Sequence, residues 1–364
     1  MHSTNLKDFF EVYGIFRDVN VDIGRHCKLI AEVGLSHEGS LGLAFAYIDS
    51  AKASGADLVK FQYHIPTVES SKYEKFRIDF SQQDKTRWDY WDRTTFSTDN
   101  WKKIISHCKK NLIDFCVSVF SGQACSEMID LGVKNIKLGS GDLTNKEILD
   151  VLKGWNGNLF ISTGLATFSE IEEAINNYSE FLVDSRLTVF QCTSKYPTPL
   201  NQVGINVMEL IRSRWNVKVG LSDHSVGIDS AIVAINKGAD VIEKHVTFSK
   251  NMFGPDISSS ITFEELSRLS NFRDNYQLII QSVDKDEIAR ELVKERLIFG
   301  RSLGLKREFR VGEVVSEHDF CLRKPGGGLN WEDRLNLVGQ KLIRDIALGD
   351  LITLSDFDLD KRYE

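Results

Sequence analysis

Two histidines stand at the polar ends of two short apolar runs, V-G-L-S-D-H-S and D-V-I-E-K-H-V-T: His224 and His245. Between them, Ile228 to Lys237 reads as one amphipathic helix closed by Gly238. The order is strand, loop, helix, strand. In a parallel α/β protein such consecutive strands present their C-terminal ends on one face. The two imidazoles can therefore converge although they lie 21 positions apart, a pairing suited to a divalent metal with nitrogen and oxygen ligands. A lone histidine is as often a buried residue with its hydrogen bonds met. The position just past a strand end, where barrel enzymes carry their chemistry, favours function for both.

Other strand ends carry chemistry of the same kind. K-L-I-A-E-V-G-L (28–35) is apolar but for Glu32, and a carboxylate in a buried strand is costly unless paired or functional. His37 follows in the next loop. D-L-V-K-F-Q (57–62) ends in Lys60 and Gln62, and N-I-K-L (135–138) carries Lys137. A buried lysine needs a counter-charge. A bound phosphate or carboxylate supplies one; a neighbouring Asp or Glu is the plainer alternative. Ser118, Ser140, Ser162, Ser194 and Ser222, with G-S-G at 139–141 and T-G at 163–164, offer donors without bulk, so that backbone N–H groups can approach an anion. Each short motif is weak alone. Together with Asp223 and the histidines, the set points to a substrate carrying phosphate and carboxylate near an electrophile.

The elements that position these residues follow from periodicity. Apolar runs at 28–35, 57–62, 114–118, 135–138, 158–162, 187–191, 217–221 and 240–243 alternate with helical patterns such as 41–54 and 98–110. Thr144 with Glu147, Ser169 with Glu172, and Thr262 with Glu265 have capping-box spacing. Eight strand–helix units predict a parallel (β/α)8 TIM barrel, with an open doubly wound sheet as the alternative. A connection over 63–96, rich in Tyr, Phe, Trp and Arg, follows the second strand. Loops that long are uncommon unless functional; it either covers the mouth of the site or packs on its own aromatics. Beyond the barrel the texture changes. The segmentation is an N-terminal extension over 1–27, the barrel over 28–282, a charged linker or helix over 283–298, and a small β domain over 299–364, in which R-V-G-E-V-V and A-L-G-D-L-I read as tight turns.

Composition narrows the classes. A net charge of −7 without a basic run argues against a nucleic-acid surface. Six scattered cysteines form no metal or disulfide spacing and suit a reduced, cytoplasmic protein. No signal peptide or membrane span is apparent. The histidines at 2, 26, 64, 107 and 318 read as solvated or structural.

The phrases I-A-E-V-G-L-S-H-E-G-S (30–40), G-A-D-L-V-K-F-Q (55–62), I-K-L-G-S-G-D (136–142), I-S-T-G (161–164), Q-C-T-S-K-Y-P-T-P (191–199), G-L-S-D-H-S (220–225), E-K-H-V-T (243–247), F-G-P-D (253–256) and the later K-P-G-G-G span nearly the whole chain. In that order they resemble the sialic acid synthase family, the phosphoenolpyruvate-dependent nonulosonate synthases. The resemblance implies a C-terminal SAF (antifreeze-like, β-clip) domain and condensation of phosphoenolpyruvate with an N-acyl hexosamine aldehyde such as N-acetylmannosamine, with phosphate released by C–O cleavage. A 2,4-diacetamido-trideoxyhexose leading to legionaminate or pseudaminate is the alternative substrate. By the same resemblance, His224 and His245 hold a divalent ion, Mn2+ first, with Mg2+ or Co2+ as alternatives. Lys60, Lys137, Ser118, Ser140, Ser162, Ser194 and Ser222 hold phosphoenolpyruvate, Glu32 orients or deprotonates the attacking water, and Gln62 and Asp256 face the sugar. The family forms domain-swapped homodimers in which a basic residue of the small domain, here Arg323 or Lys324, reaches the partner's sugar. Two other readings compete: a Schiff-base aldolase using Lys60, Lys137 or Lys244, and a non-catalytic carbohydrate binder.

Overall fold

The computed structural model describes residues 26–359. Most of the expected N-terminal extension (1–25) and the last positions of the β domain (360–364) lie outside the described residues. The chain divides into two units, 1–281 and 282–364.

Eight parallel strands form the first unit: β1 Lys28–Gly34, β2 Leu58–Tyr63, β3 Asp114–Val119, β4 Asn135–Leu138, β5 Asn158–Ser162, β6 Leu187–Cys192, β7 Lys218–Asp223 and β8 Val241–Thr247. Each pairs with the next, and β1 also pairs with β8, Ile30 opposite Glu243 and Glu32 opposite His245. That last ladder closes the sheet into a barrel and excludes the doubly wound alternative. A short strand, β9 Ile261–Thr262, extends β8 outside the ring.

Side chains alternate between the two faces of each strand. Ile30, Leu58, Cys116, Phe160, Phe190 and Val241 pack together as an apolar floor inside the barrel. Their neighbours Leu29, Val59, Val117, Ile161, Val189 and Ile242 join the larger core under the helices. Two positions on from the floor in β1, β2, β3, β5 and β8, the inward side chain is polar: Glu32, Lys60, Ser118, Ser162 and Glu243. The floor and the alternation together fix the height at which chemistry can occur.

Strands β7 and β8 run to Asp223 and Thr247, beyond the expected ends at Leu221 and Glu243. His245 therefore lies within a strand, not past it. Inward polar residues line the site and continue the ladder, so polarity does not mark the strand end. Two caps also differ. Thr167 caps the helix Phe168–Asn177 in a box with Glu170, where Ser169 with Glu172 was expected. Asn145, not Thr144, caps Lys146–Leu152, its side chain accepting from Glu147 N and Ile148 N. In both, the cap is the residue with extended backbone, which spacing alone does not reveal. Thr262 with Glu265 caps Phe263–Ile279 as expected.

In the second unit, helices Lys285–Glu291 and Val293–Phe299 occupy the linker segment. β10 Ser302–Leu305 pairs antiparallel with β11 Phe320–Arg323 over a core that includes Leu303, Phe309, Phe320, Leu342 and Ile346. The residues just before the two repeated phrases pair: Phe309 N donates to Ile346 O at 3.0 Å and Ile346 N to Phe309 O at 2.9 Å. Each phrase turns on a glycine with positive φ, Gly312 and Gly349.

Candidate active site

Four charged side chains meet above the apolar floor. Lys60 Nζ lies 3.4 Å from Glu32 Oε2 and 3.1 Å from Glu243 Oε2; Lys137 Nζ lies 2.9 Å from the same Glu243 oxygen. All four are buried. Burial alone raises the Glu243 carboxyl, but Lys137 and Lys60 outweigh it and hold it well below the usual carboxylate range. Glu32 has one lysine against it and Glu243 as a like charge, so burial pushes it up to about 7. Burial lowers both lysines. Lys60, between two carboxylates, still ends above its ordinary value, whereas Lys137, with one carboxylate and Lys60 nearby, ends below. Lys137 also sits 3.8 Å from the centre of the Phe190 ring, a cation–π contact with the floor.

Hydroxyls surround this cluster. Lys60 Nζ donates to Ser118 Oγ at 3.1 Å, and Ser222 Oγ donates to Glu243 Oε1 at 2.9 Å. Ser140 Oγ and Ser194 Oγ are 3.1 Å apart, joining the loops after β4 and β6. Ser162 is buried at the end of β5. A Cβ on Gly164 would stand 2.3 Å from Ser194 Oγ and 2.9 Å from Cys192 Sγ, so the T-G turn needs glycine to let Ser194 in.

The histidines lie nearer the mouth. Their ring centroids are 5.5 Å apart, and the Tyr196 ring stacks on His224 at 4.0 Å. Burial, with the neighbouring ring and with nearby lysines, pushes both down to about 3, so both are neutral imidazoles. Gln62 Nε2 donates to Glu32 Oε1 at 2.8 Å. Gly34, at φ 57 in the β1 irregularity, leaves room for that contact: a Cβ there would lie 3.3 Å from Gln62 Nε2.

The 63–96 connection does both things expected of it. Phe76, Phe80 and Tyr90 pack on one another. Its Arg77 reaches the barrel mouth, 2.7 Å from Asp256 Oδ1, with its guanidinium 4.1 Å over the Tyr196 ring.

The barrel thus brings together Glu32, Lys60, Gln62, Ser118, Lys137, Ser222, His224 and His245 on one inner wall, with Ser140, Ser162 and Ser194 at the strand ends and Asp256 at the rim. Asp223 faces away from it. It pairs with Lys244 at 3.0 Å on the outer side of the barrel wall, and Lys244 also donates to Ser225 O, which removes Lys244 as a Schiff-base candidate. Arg323 and Lys324 belong to the second unit, where Arg323 Nη2 donates to Leu305 O at 2.9 Å. Sequence reasoning missed Glu243, Arg77 and Tyr196. Glu243 was findable: it lies two residues before His245 in E-K-H, so strand alternation puts both on one face. It is the plainer counter-charge for both lysines. His64, read as solvated or structural, is buried and bonded to Gln62.

Neutral, paired imidazoles beside a buried carboxylate suit a borderline divalent cation. Among the described residues no group of three or more His, Cys, Asp or Glu has metal-binding geometry. Two neutral imidazoles 5.5 Å apart would offer such an ion two nitrogen ligands, its remaining positions left to water and substrate.

The NeuB family model matches residues 47–285. The chain is 32% identical over 328 residues to the N,N'-diacetyllegionaminic acid synthase of Campylobacter jejuni, covering 88% of this chain and 98% of that one. It is 32% identical over 333 residues to the synthase of the same name from Legionella pneumophila, covering 89% and 92%. The crystal structure of an N-acetylneuraminic acid synthetase from Leptospira borgpetersenii in complex with citrate superposes with a TM-score of 0.63 at 25% identity, covering 74% of this chain and 91% of that one. The match over most of the barrel, together with relatives that align along almost their entire length, means that this chain belongs to the NeuB family.

Proposed function

We propose that this protein is a nonulosonate synthase that condenses phosphoenolpyruvate with an N-acyl hexosamine aldehyde and water, releasing phosphate. The observation that carries the reading is the buried quartet Glu32–Lys60–Glu243–Lys137 directly below two neutral histidines. The lysines and the ring of serine hydroxyls meet the phosphate and carboxylate of the enol ester. A divalent ion on His224 and His245 supplies Lewis acidity toward a carbonyl oxygen. C3 of phosphoenolpyruvate bonds to the aldehyde carbon, water adds at C2, and the C2–O bond to phosphate breaks. Glu32, held near neutral pH by burial, accepts the proton of that water. The names of the two relatives put the diacetamido sugars on the same footing as N-acetylmannosamine.

The test is phosphate release by chelator-stripped protein, with and without Mn2+, against N-acetylmannosamine, its 6-phosphate and the diacetamido sugars. Release that needs both metal and one sugar supports the reading and names the substrate. No release from folded, metal-loaded protein with any sugar overturns it.

Two further expectations belong to this reading. Because both imidazoles are already neutral, few protons leave when a cation binds. Mn2+ affinity measured by titration calorimetry should be nearly level from pH 7.5 to 6, whereas two ordinary histidines would lose roughly fourteenfold to proton competition. Arg77→Ala should raise the KM for the sugar by about tenfold or more, since an Arg–carboxylate contact at the rim is lost and Asp256 is released, and leave the KM for phosphoenolpyruvate unchanged.

All six cysteines are free thiols, which suits a cytoplasmic enzyme, and no helix among the described residues is long and apolar enough to cross a membrane. We also propose a homodimer in which Arg323 or Lys324 serves the partner's site. Mixing an inactive Glu32→Gln protein with an inactive Lys324→Ala protein should then restore part of the activity.

A further inference from the structure

His64 is buried between two aromatic planes, Trp91 at 4.5 Å and Phe120 at 4.1 Å, both within about ten degrees of parallel. Stacking alone would be met by phenylalanine. What distinguishes the residue is its two nitrogens. Nδ1 lies 2.5 Å from Glu69 Oε1, and Nε2 lies 3.3 Å from Gln62 Oε1. Gln62 in turn donates from Nε2 to Glu32 Oε1 at 2.8 Å. Glu69 is buried too, its other oxygen accepting from Ile65 N at 3.1 Å. Thr95 Oγ1 donates to His64 O at 2.9 Å, so the far end of the 63–96 connection anchors the ring's backbone.

Donor and acceptor counting fixes the direction of this chain. Glu32 accepts, so the Gln62 amide must turn its N–H toward it. Gln62 Oε1 then faces His64 Nε2, which must carry a proton. The short contact at Nδ1 holds a second proton between imidazole and carboxylate. The pair Glu69–His64 is neutral as a whole, so its burial needs no further counter-charge. With the amide reversed, Gln62 Oε1 would confront the Glu32 carboxylate, acceptor against acceptor.

We propose that Glu69 and His64 form a positioning dyad that fixes the orientation of the Gln62 amide and, through it, the reacting carboxylate of Glu32. The inference rests on the proposed role of Glu32 in the synthase reaction. Groups that orient the residues of a site in this way typically carry about ten- to hundredfold in activity.

Two substitutions at one position separate positioning from packing. In His64→Asn the short amide still reaches Glu69 but not Gln62. In His64→Gln the longer amide places an N–H where Nε2 was. The sandwich between Trp91 and Phe120 loses its ring equally in both. His64→Asn is expected to lower kcat in the phosphate-release assay by about tenfold with little change in either KM, and His64→Gln to restore most of it. In a Gln62→Ala background, His64→Asn should add no further loss. Equal losses in the Asn and Gln variants, or the same loss with and without Gln62, would overturn the dyad. A wild type that releases no phosphate would instead sink the synthase reading. The dyad is then judged by proton NMR: a strongly downfield imidazole proton that disappears in Glu69→Gln and shifts in Gln62→Ala supports it, and one indifferent to Gln62 refutes it.

Discussion

Glu243→Leu is expected to cost about 3–5 kcal/mol of folding stability, the range for removing one partner from a buried ion pair. The side chain neutralises Lys137 at 2.9 Å and Lys60 at 3.1 Å and accepts from Ser222. Without it, two buried ammonium groups share only Glu32. Urea unfolding at neutral pH measures the loss. The acid side gives a second signature. Lysine neighbours depress the folded carboxyl, so its contribution is fully present above the unfolded value of 4.5 and disappears as pH falls below it. The wild type should lose that part of its stability in acid; the variant has none of it to lose. A cost below about 1 kcal/mol would mean that water or another group already neutralises the lysines.

Glu32→Gln is expected to lower kcat by about 10²–10⁴-fold, the usual contribution of a positioned general base. Its fold should survive. The Glu32 carboxyl is raised to about 7 by burial, so ionising it works against the folded state as pH rises from 4.5 to 7. The neutral amide escapes that cost, which offsets part of the counter-charge withdrawn from Lys60, so at pH 8 the variant should lose less stability than Glu243→Leu. Gln62 Nε2 can still donate to the new carbonyl. Single-turnover phosphate release gives the rate and thermal melting gives the control. A rate within about threefold of wild type would remove Glu32 as the proton acceptor.

The barrel was legible because two signals agreed. Apolar runs ended in polar residues at eight places, and glycines such as Gly55, Gly132 and Gly238 closed the helices between them, all three with positive φ in the structure. The site was legible in its lysines, serines and histidines, each at or near an apparent strand end. Glu243 was passed over because it looked like the last residue of a strand, which hid its alternation with His245 two positions on. The register bears that alternation out: Glu243 and His245 face in, Lys244 faces out to Asp223. Arg77 had no local signal at all. Its placement depends on how an aromatic cluster folds the 63–96 connection back over the mouth, a contact with Asp256 across nearly half the chain. His64 carried the opposite problem: a histidine among aromatics looks structural, and its link to Gln62 exists only in three dimensions.

With Glu32 ionised, the two carboxylates and two ammonium groups on the inner wall sum to zero, which makes the barrel an ion exchanger and not a reservoir of positive charge. A phosphate ester that also bears a carboxylate brings about three negative charges at neutral pH. It cannot simply add to lysines already engaged; it must take them from Glu243, or arrive with protons that the carboxylates accept. Affinity is then the difference between two salt bridges of similar kind, weaker than the number of cations suggests and steeply dependent on which anion offers the better geometry. The heat of binding should consequently change with the ionisation enthalpy of the buffer, because the solvent supplies whatever protons the exchange consumes.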